Sequence, residues 1–290
     1  MASIVIAAHN EEAVLGACLD SLLQGQGEGP LEIVVSANGC TDRTVAVAHE
    51  RGVVVVDRAE SGKAAALNAG DERATVSPRI YLDADIRVPP GGIPTLVQYL
   101  ADSPQLMAVV PRRHLNAAGR PWPVRSYLAI NQRLPAFRSG LFGRGLIVLS
   151  AEGRARFGAF PQLVADDLFL DSQFAPDEKA EVSEVTVTVE APFTTKDLLR
   201  RLVRVRRGNA QMRAAATEGE VTVAIPATDR WAWFREVVIP EPRLVFAAIP
   251  YVAITLCADI LARRAPVDAA WGRDESTRQA TDDDKGELLP

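Results

Sequence analysis

Cysteine is scarce. The chain has three in 290 residues, Cys18, Cys40 and Cys257, spaced far apart, which excludes a disulfide framework or a zinc knuckle and suits a reducing compartment. Histidine is as rare and as scattered (His9, His49, His114), so a histidine metal cage is excluded. An excess of positive charge is lacking too: 32 Lys and Arg stand against 37 Asp and Glu, a net charge of -5. That balance argues against nonspecific nucleic-acid binding but leaves room for a phosphate-bearing small molecule, which needs only local positive charge. No GxxxxGK[ST] loop occurs, and "GQGEG" follows a helical pattern without GxGxxG spacing, so both familiar nucleotide fingerprints are missing. The opening "MASIVIAAHNEE" has too short an apolar run, and no basic start, for a secretory signal. One membrane-like run exists, "LVFAAIPYVAITLCADIL" (Leu244 to Leu261), broken by Pro250 and carrying Asp259. A spanning helix wants about 20 mostly apolar residues, so this run is borderline.

What is present is ordinary globular material, 48% hydrophobic and 24% charged, arranged in alternation. "SIVIAA", "LEIVVSA", "VVVVD" and "RIYLDAD" are short β-branched runs that predict buried strands. Between them "EEAVLGACLDSLLQ", "GCTDRTVAVAHERG" and "GKAAALNAGDERA" predict helices, the first capped by Asn10 and the second opened by Thr41 or Asp42 and closed by Gly52. Strand–helix repetition with short loops implies an α/β fold, a Rossmann-like, largely parallel sheet flanked by helices. Ligands of such sheets sit beyond the carboxyl ends of the strands, where Ala8 to Asn10, Ala37 to Gly39 and Asp83 to Asp85 all fall. Further on, "LMAVVPRR", "GLIVLS" and the alternating "AEVSEVTVTVEAP" predict strands, "ADDLFLDSQFA" a helix start and "TKDLLRRLVRVRRGNAQMRAAA" a basic amphipathic helix.

Asp83 and Asp85 stand one apart at a strand end. Either they are an acidic turn, or they face one way from an extended chain and hold a hard cation such as Mn²⁺ or Mg²⁺, completed by substrate phosphates. Asp166 and Asp167 either compensate a helix N-terminus or supply a general base. On the basic helix Arg201 and Arg204 share a face; most of its arginines solvate a surface, but a guanidinium fork there suits a diphosphate. "GRGLIVLSAEG" allows close backbone approach, although a turn explains it equally.

The segments "SIVIAAHNEE", "VVSANGCTDRT", "SGKAAALNAG", "YLDAD", "ADDLFL" and "RLVRVRRGN" resemble, in order and spacing, the motifs of family 2 glycosyltransferases of the GT-A fold, over Ser3 to Asn209. The resemblance implies transfer of a sugar, with inversion, from a nucleoside-diphosphate donor (UDP by resemblance) to a hydroxyl acceptor. It implies roles residue by residue. Ala8, His9 and Glu11 lie near the nucleoside, with His9 where an aromatic side chain is usual. Asn38 replaces a base-reading aspartate and Lys63 matches a basic residue near the nucleotide. Asp83 meets ribose or metal, Ala84 lines the site, and Asp85 is the metal ligand. Asp166 adjoins the catalytic base Asp167, and Arg201 and Arg204 take the place of a Q-x-x-R-W-like element. Three departures stand out: Ala7 for proline, Ala37 and Asn38 for paired acids, and Val205 for tryptophan. With Arg201 where glutamine is expected, a processive cellulose- or chitin-synthase identity is not supported.

The expected organisation is a catalytic domain over 1–215 (nucleotide-binding portion 1–112, acceptor portion 113–215), a C-terminal helical segment over 216–265 and a loose tail over 266–290. The protein is expected in the cytoplasm. The stretch 243–264, apolar with Arg243, Arg263 and Arg264 at its ends, either contacts the inner face of the membrane or covers the catalytic domain or a second copy. Rival classes are a sugar-1-phosphate nucleotidyltransferase, whose glycine- and basic-rich first loop is here the acidic "AHNEE", and a non-catalytic sugar-nucleotide-binding relative, which the intact acids disfavour.

Overall fold

The computed structural model describes residues 1–24, 30–135, 137, 140–162, 166–217 and 231–264. The core is a sheet of seven strands in the order β3-β2-β1-β4-β6-β5-β7. These are β1 (Ala2–Ala8), β2 (Leu31–Asn38), β3 (Val54–Arg58), β4 (Arg79–Asp83), β5 (Ala108–Asn116), β6 (Leu146–Leu149) and β7 (Lys179–Glu190). Strands β3, β2, β1 and β4 run parallel, as the alternation predicts. The departure is β6, antiparallel to both β4 and β5, with β7 then parallel to β5.

Successive residues of β1 point to opposite layers. Ile4 and Ile6 join α1 (Glu12–Gln24) and α4 (Gly92–Ala101) on one face, whereas Val5 joins α3 (Lys63–Arg73) and α7 (Asp166–Ser172) on the other. In α1 the buried residues Leu15, Cys18, Leu19 and Leu22 keep helical spacing. Helix α3 lies so close to β1 that a Cβ on Gly70 would come within 2.4 Å of Val5 Cγ1, so the glycine sets the approach.

Several local expectations change. Helix α2 covers only Thr44–His49, because the chain before it is tied down by side chains: Asn10 Oδ1 accepts from Thr41 N at 2.7 Å, and Asp42 Oδ1 accepts from Thr44 N at 3.0 Å. Asn10, with φ 53°, is therefore not the cap of α1; Asp42 accepts from Glu12 N (3.2 Å) and serves that end instead. Helices α4, α5 (Trp122–Asn131) and the short α6 (Ala151–Ala155) were not expected. The prolines of α4 and α5, Pro94 and Pro123, fall in the first turn, where a missing N–H breaks no helical bond. Strand β4 ends at Asp83, and Ala84 and Asp85 form a turn, so the two acids do not share one face of an extended strand.

The basic helix is α8 (Thr195–Thr217), and the apolar run forms α9 (Val245–Arg264), preceded by a π-helical turn, Trp233–Val238. The inner face of α9 packs on α5 and α8: Tyr251 stacks on Tyr127 (ring centroids 5.1 Å apart), and Asp259 pairs with Arg206 of α8. The expected loose tail, 266–290, lies outside the described residues.

Candidate active site

The carboxyl ends of β1, β2 and β4 meet at one edge, and Asn38, the last residue of β2, ties β1 to the loop before α3. Fully buried, its Nδ2 donates to Ala8 O (2.7 Å), and its Oδ1 accepts from Gly62 N (2.9 Å), just before α3. Its carbonyl oxygen accepts from His9 Nδ1. Both ends of the amide are thus engaged in holding the loops, which contrasts with the base-reading role implied by resemblance. Glu11, also buried, immediately precedes α1 and donates its backbone N–H to Thr44 Oγ1 at 2.7 Å.

At the centre stands Lys63, the first residue of α3. Its ammonium bridges Asp83 Oδ1 and Asp166 Oδ2, each at 2.9 Å. Burial works against this charge, but the Asp166 and Asp83 carboxylates outweigh it and hold the lysine above its ordinary range. Asp166 is pushed up to about 6, chiefly by burial, with Lys63 opposing and Asp167 and Asp83 adding to the rise. Asp167 takes a different environment: Gly143 N donates to Oδ2 (3.1 Å) and Leu168 N to Oδ1 (2.9 Å). Lys63, Asp83, Asp166, Asp167, Gly143 and Gly145 line one cavity of about 40 Å³, room for a water or two but not for a sugar ring. Gly145 (φ 68°) is required there, since a Cβ would meet Ile86 Cγ1 at 2.5 Å, and its carbonyl accepts from Asp83 N (2.8 Å).

Beneath this edge Cys18 is buried, and burial pushes its thiol up to about 12, with Asp85 and then Asp83 adding to the effect. Cys18 Sγ donates to Asp83 O at 3.9 Å, which sets the thiol beneath the end of β4. Among the described residues no three His, Cys, Asp or Glu side chains gather as a metal cage. The donor set still fits a hard divalent cation of the kind that takes one or two carboxylates and completes its shell from substrate phosphates and water. Ala84, in the turn between the two acids, is buried, and Arg201 and Arg204 lie half-buried on α8. Sequence reasoning passed over Arg113 on β5 and Arg144 between the two pocket glycines. The paired "PRR" and "GRG" were the available signals. Arg113 Nη1 donates to Gly143 O at 3.1 Å, the carbonyl of the glycine whose N–H holds Asp167.

The sequence and the fold have counterparts among known proteins. The family model described as "Glycosyl transferase family 2" matches residues 3–149, just over half of the chain. This chain belongs to that family. A curated relative of this family 2 member is undecaprenyl-phosphate 4-deoxy-4-formamido-L-arabinose transferase of Pseudomonas paraeruginosa, 33% identical over an alignment of 135 residues that covers 43% of this chain and 40% of that one. The match therefore spans less than half the length of that relative. Among solved structures, a mannosyltransferase from Pyrobaculum calidifontis in complex with GDP-Man and Mn²⁺ superposes with TM-score 0.60 at 20% identity, over 91% of this chain and 76% of that one. Glucosyl-3-phosphoglycerate synthase from Mycobacterium tuberculosis, in complex with phosphoglyceric acid, gives TM-score 0.52 at 19% identity, over 78% and 81%. At such identities the two structures establish the fold, the GT-A arrangement expected from the sequence.

Proposed function

We propose that this family 2 protein is an inverting glycosyltransferase that moves a sugar from a nucleoside-diphosphate donor to an acceptor at the edge formed by β1, β2 and β4. The observation that carries the reading is the Lys63–Asp83–Asp166 bridge with Asp167 beside it, all at the carboxyl end of a parallel sheet. His9 and Glu11 border the nucleoside end, and Asn38 fixes the loops around it. Asp85 and Asp83 would hold Mn²⁺ or Mg²⁺, which supplies charge neutralisation for the diphosphate when bound. Arg204 and Lys63 add positive charge on the leaving-group side. Asp167, held by two backbone N–H groups, accepts the acceptor's proton. Asp166, committed to Lys63, positions that lysine instead. UDP is the first donor to try. Asp167→Asn is expected to lower sugar transfer at least about a hundredfold while donor binding by calorimetry stays within about twofold; normal turnover by that variant would refute the base assignment.

The outer face of α9 adds a location. Phe246, Ile249, Leu256 and Ile260 recur at helical spacing and are 74%, 69%, 53% and 49% exposed. By length and composition Pro242–Arg264 could cross a membrane, yet its other face is packed on α5 and α8, which favours a helix lying in the interface. Trp231 and Phe234 extend the exposed apolar surface, and Arg243, Arg263 and Arg264 bracket it with charge that suits anionic lipid. The reading is a cytoplasmic protein seated on the inner membrane face, with a lipid-linked acceptor as in the Pseudomonas relative's name. Co-sedimentation with anionic vesicles tests it: Phe246→Glu with Ile249→Glu should release the protein, and equal sedimentation of both forms would exclude docking through this face.

A further inference from the structure

Lys63 has company on α3. Three side chains of that helix reach the chain on the N-terminal side of Asp167, in reverse order: Lys63 holds Asp166 (2.9 Å), Asn68 holds Phe160, and Asp71 holds Arg154 of α6 (3.1 Å). Eight residues of helix span about 12 Å, so the grips are spread along α3 rather than gathered at one point. The middle one is the most demanding. Asn68 Oδ1 accepts from Phe160 N at 2.6 Å, and its Nδ2 donates to Phe160 O at 3.0 Å, across 92 positions of sequence. A backbone N–H only donates and a backbone carbonyl only accepts, so this pair needs a side chain that does both at this length. An asparagine amide does; a carboxylate meets half of the demand and an alanine none.

Phe160 is in turn packed against the site. It is 2% exposed, and its ring meets Tyr81 edge-on (centroids 5.0 Å apart), Phe157 (5.3 Å) and Phe169 of α7 (5.9 Å). Phe169 comes two residues after Asp167, and Leu168 between them donates its N–H to Asp167 Oδ1. Arg154 steadies the same stretch by donating to Phe157 O (2.7 Å) and Gly158 O (3.1 Å), while the buried Asp71 also takes the Tyr81 hydroxyl (2.6 Å). Direct contacts therefore run from Asn68 through Phe160 and Phe169 to the base. Lys63 does not replace them, because an ammonium on a flexible stem fixes a charge and not an orientation.

We propose that Asn68 is a positioning residue for Asp167: by clamping both polar groups of Phe160 it sets α7, and with it the carboxylate, against the Gly143 N–H. This rests on the reading of Asp167 as the base. Asn68 does not line the cavity that holds Lys63, Asp83, Asp166 and Asp167, so it acts through Phe160 and not on a substrate. A small displacement of a reacting group is enough to cost one or two decades of rate.

The test uses the full-length protein and two readouts. The first is hydrolysis of UDP-glucose or GDP-mannose with Mn²⁺, in which water takes the acceptor's place. Asn68→Ala is expected to lower kcat about ten- to a hundredfold, while the donor KM and UDP or GDP affinity by calorimetry stay within about twofold. The second is amide hydrogen exchange followed by NMR. Gly143 N–H and Leu168 N–H, the two that hold Asp167, should exchange at least about fivefold faster in the variant, with the amides of β1 at their wild-type rates. Should Asn68→Ala fail to fold, Arg154→Gln loosens the same stretch from α6 and decides by the same two readouts. Unchanged exchange at Gly143 and Leu168, faster exchange in β1 as well, or an unchanged kcat overturns the proposal. If wild type neither binds a diphosphate nor hydrolyses either donor, it is the base reading that falls, and exchange at Gly143 and Leu168 alone decides whether Asn68 sets Asp167.

Discussion

The donor-side half of the sheet and the half that follows it are built on different logics. In the first, β1 to β4 all run parallel, strands consecutive in the chain are joined by one helix each, and the polar strand ends need only local loops to converge. In the second, β6 is inserted antiparallel between β4 and β5, the β5–β7 ladder slips at Pro111/Arg112, and the last helix, α9, packs on α5 and α8 rather than on the sheet. The first half spends its apolar residues on a two-sided core. The second leaves many of them facing out: of the 15 large hydrophobic residues exposed among the described residues, nine lie between Trp231 and Leu261. Similar residue types are therefore expected to have very different energetic weight in the two regions.

The sharpest way to break that comparison is a matched truncation. Ile6 is fully buried on the central strand, and Ile249 is 69% exposed on α9. Ile6→Ala is expected to cost about 2–5 kcal/mol in urea unfolding, whereas Ile249→Ala should stay within about 0.5 kcal/mol. Equal losses would mean that α9 carries a packed core on its outer side as well.

A second test concerns charge. Lys63 bridges Asp166, 16% exposed, and Asp83, 46% exposed, so Lys63→Met strands one buried acid and one half-solvated acid. The expected cost is about 2–3 kcal/mol, below that of a fully buried pair because Asp83 keeps its water. Adding Asp166→Asn should recover most of it. The same acid gives a pH signature in metal-free protein. Its folded pKa, about 6, lies above the ordinary value of 3.8, so its contribution is present at low pH and lost as pH rises through 6. Relative to Asp166→Asn, wild type should therefore gain up to about 3 kcal/mol between about pH 7 and pH 4. A flat difference would show that Lys63 fully compensates the buried charge.

The contrast also explains what could be read in the residues. β1 to β4, α1 and α3 follow from β-branched runs, helical spacing and breakers, because their partners are close in sequence. Asp83, Lys63 and Asp166 could be named singly, but not their bridge, which joins residues far apart in the chain through α3, β4 and α7. The amide engagement of Asn38 was hidden for the same reason: it depends on where Gly62 returns. Helices α4 and α5 were obscured by prolines that the first turn tolerates. Arg113 was obscured by the slip in β5, which no periodicity announces.

The smallest effect separates water from membrane. Arg206 and Asp259 join α8 to α9 with side chains 23% and 46% exposed, and Arg206 also reaches Thr255 O at 3.4 Å. In solution such a pair is worth about 0.2–1 kcal/mol, so Arg206→Met should barely move the unfolding midpoint. If the outer face of α9 rests in lipid, however, Asp259 sits close to a medium of low dielectric, and an unpaired carboxylate there costs far more. The variant should then bind anionic vesicles several-fold more weakly than wild type while matching its stability in buffer. Equal vesicle binding would place Asp259, and with it the C-terminal half of α9, away from the lipid, leaving Phe246 and Ile249 as the contact.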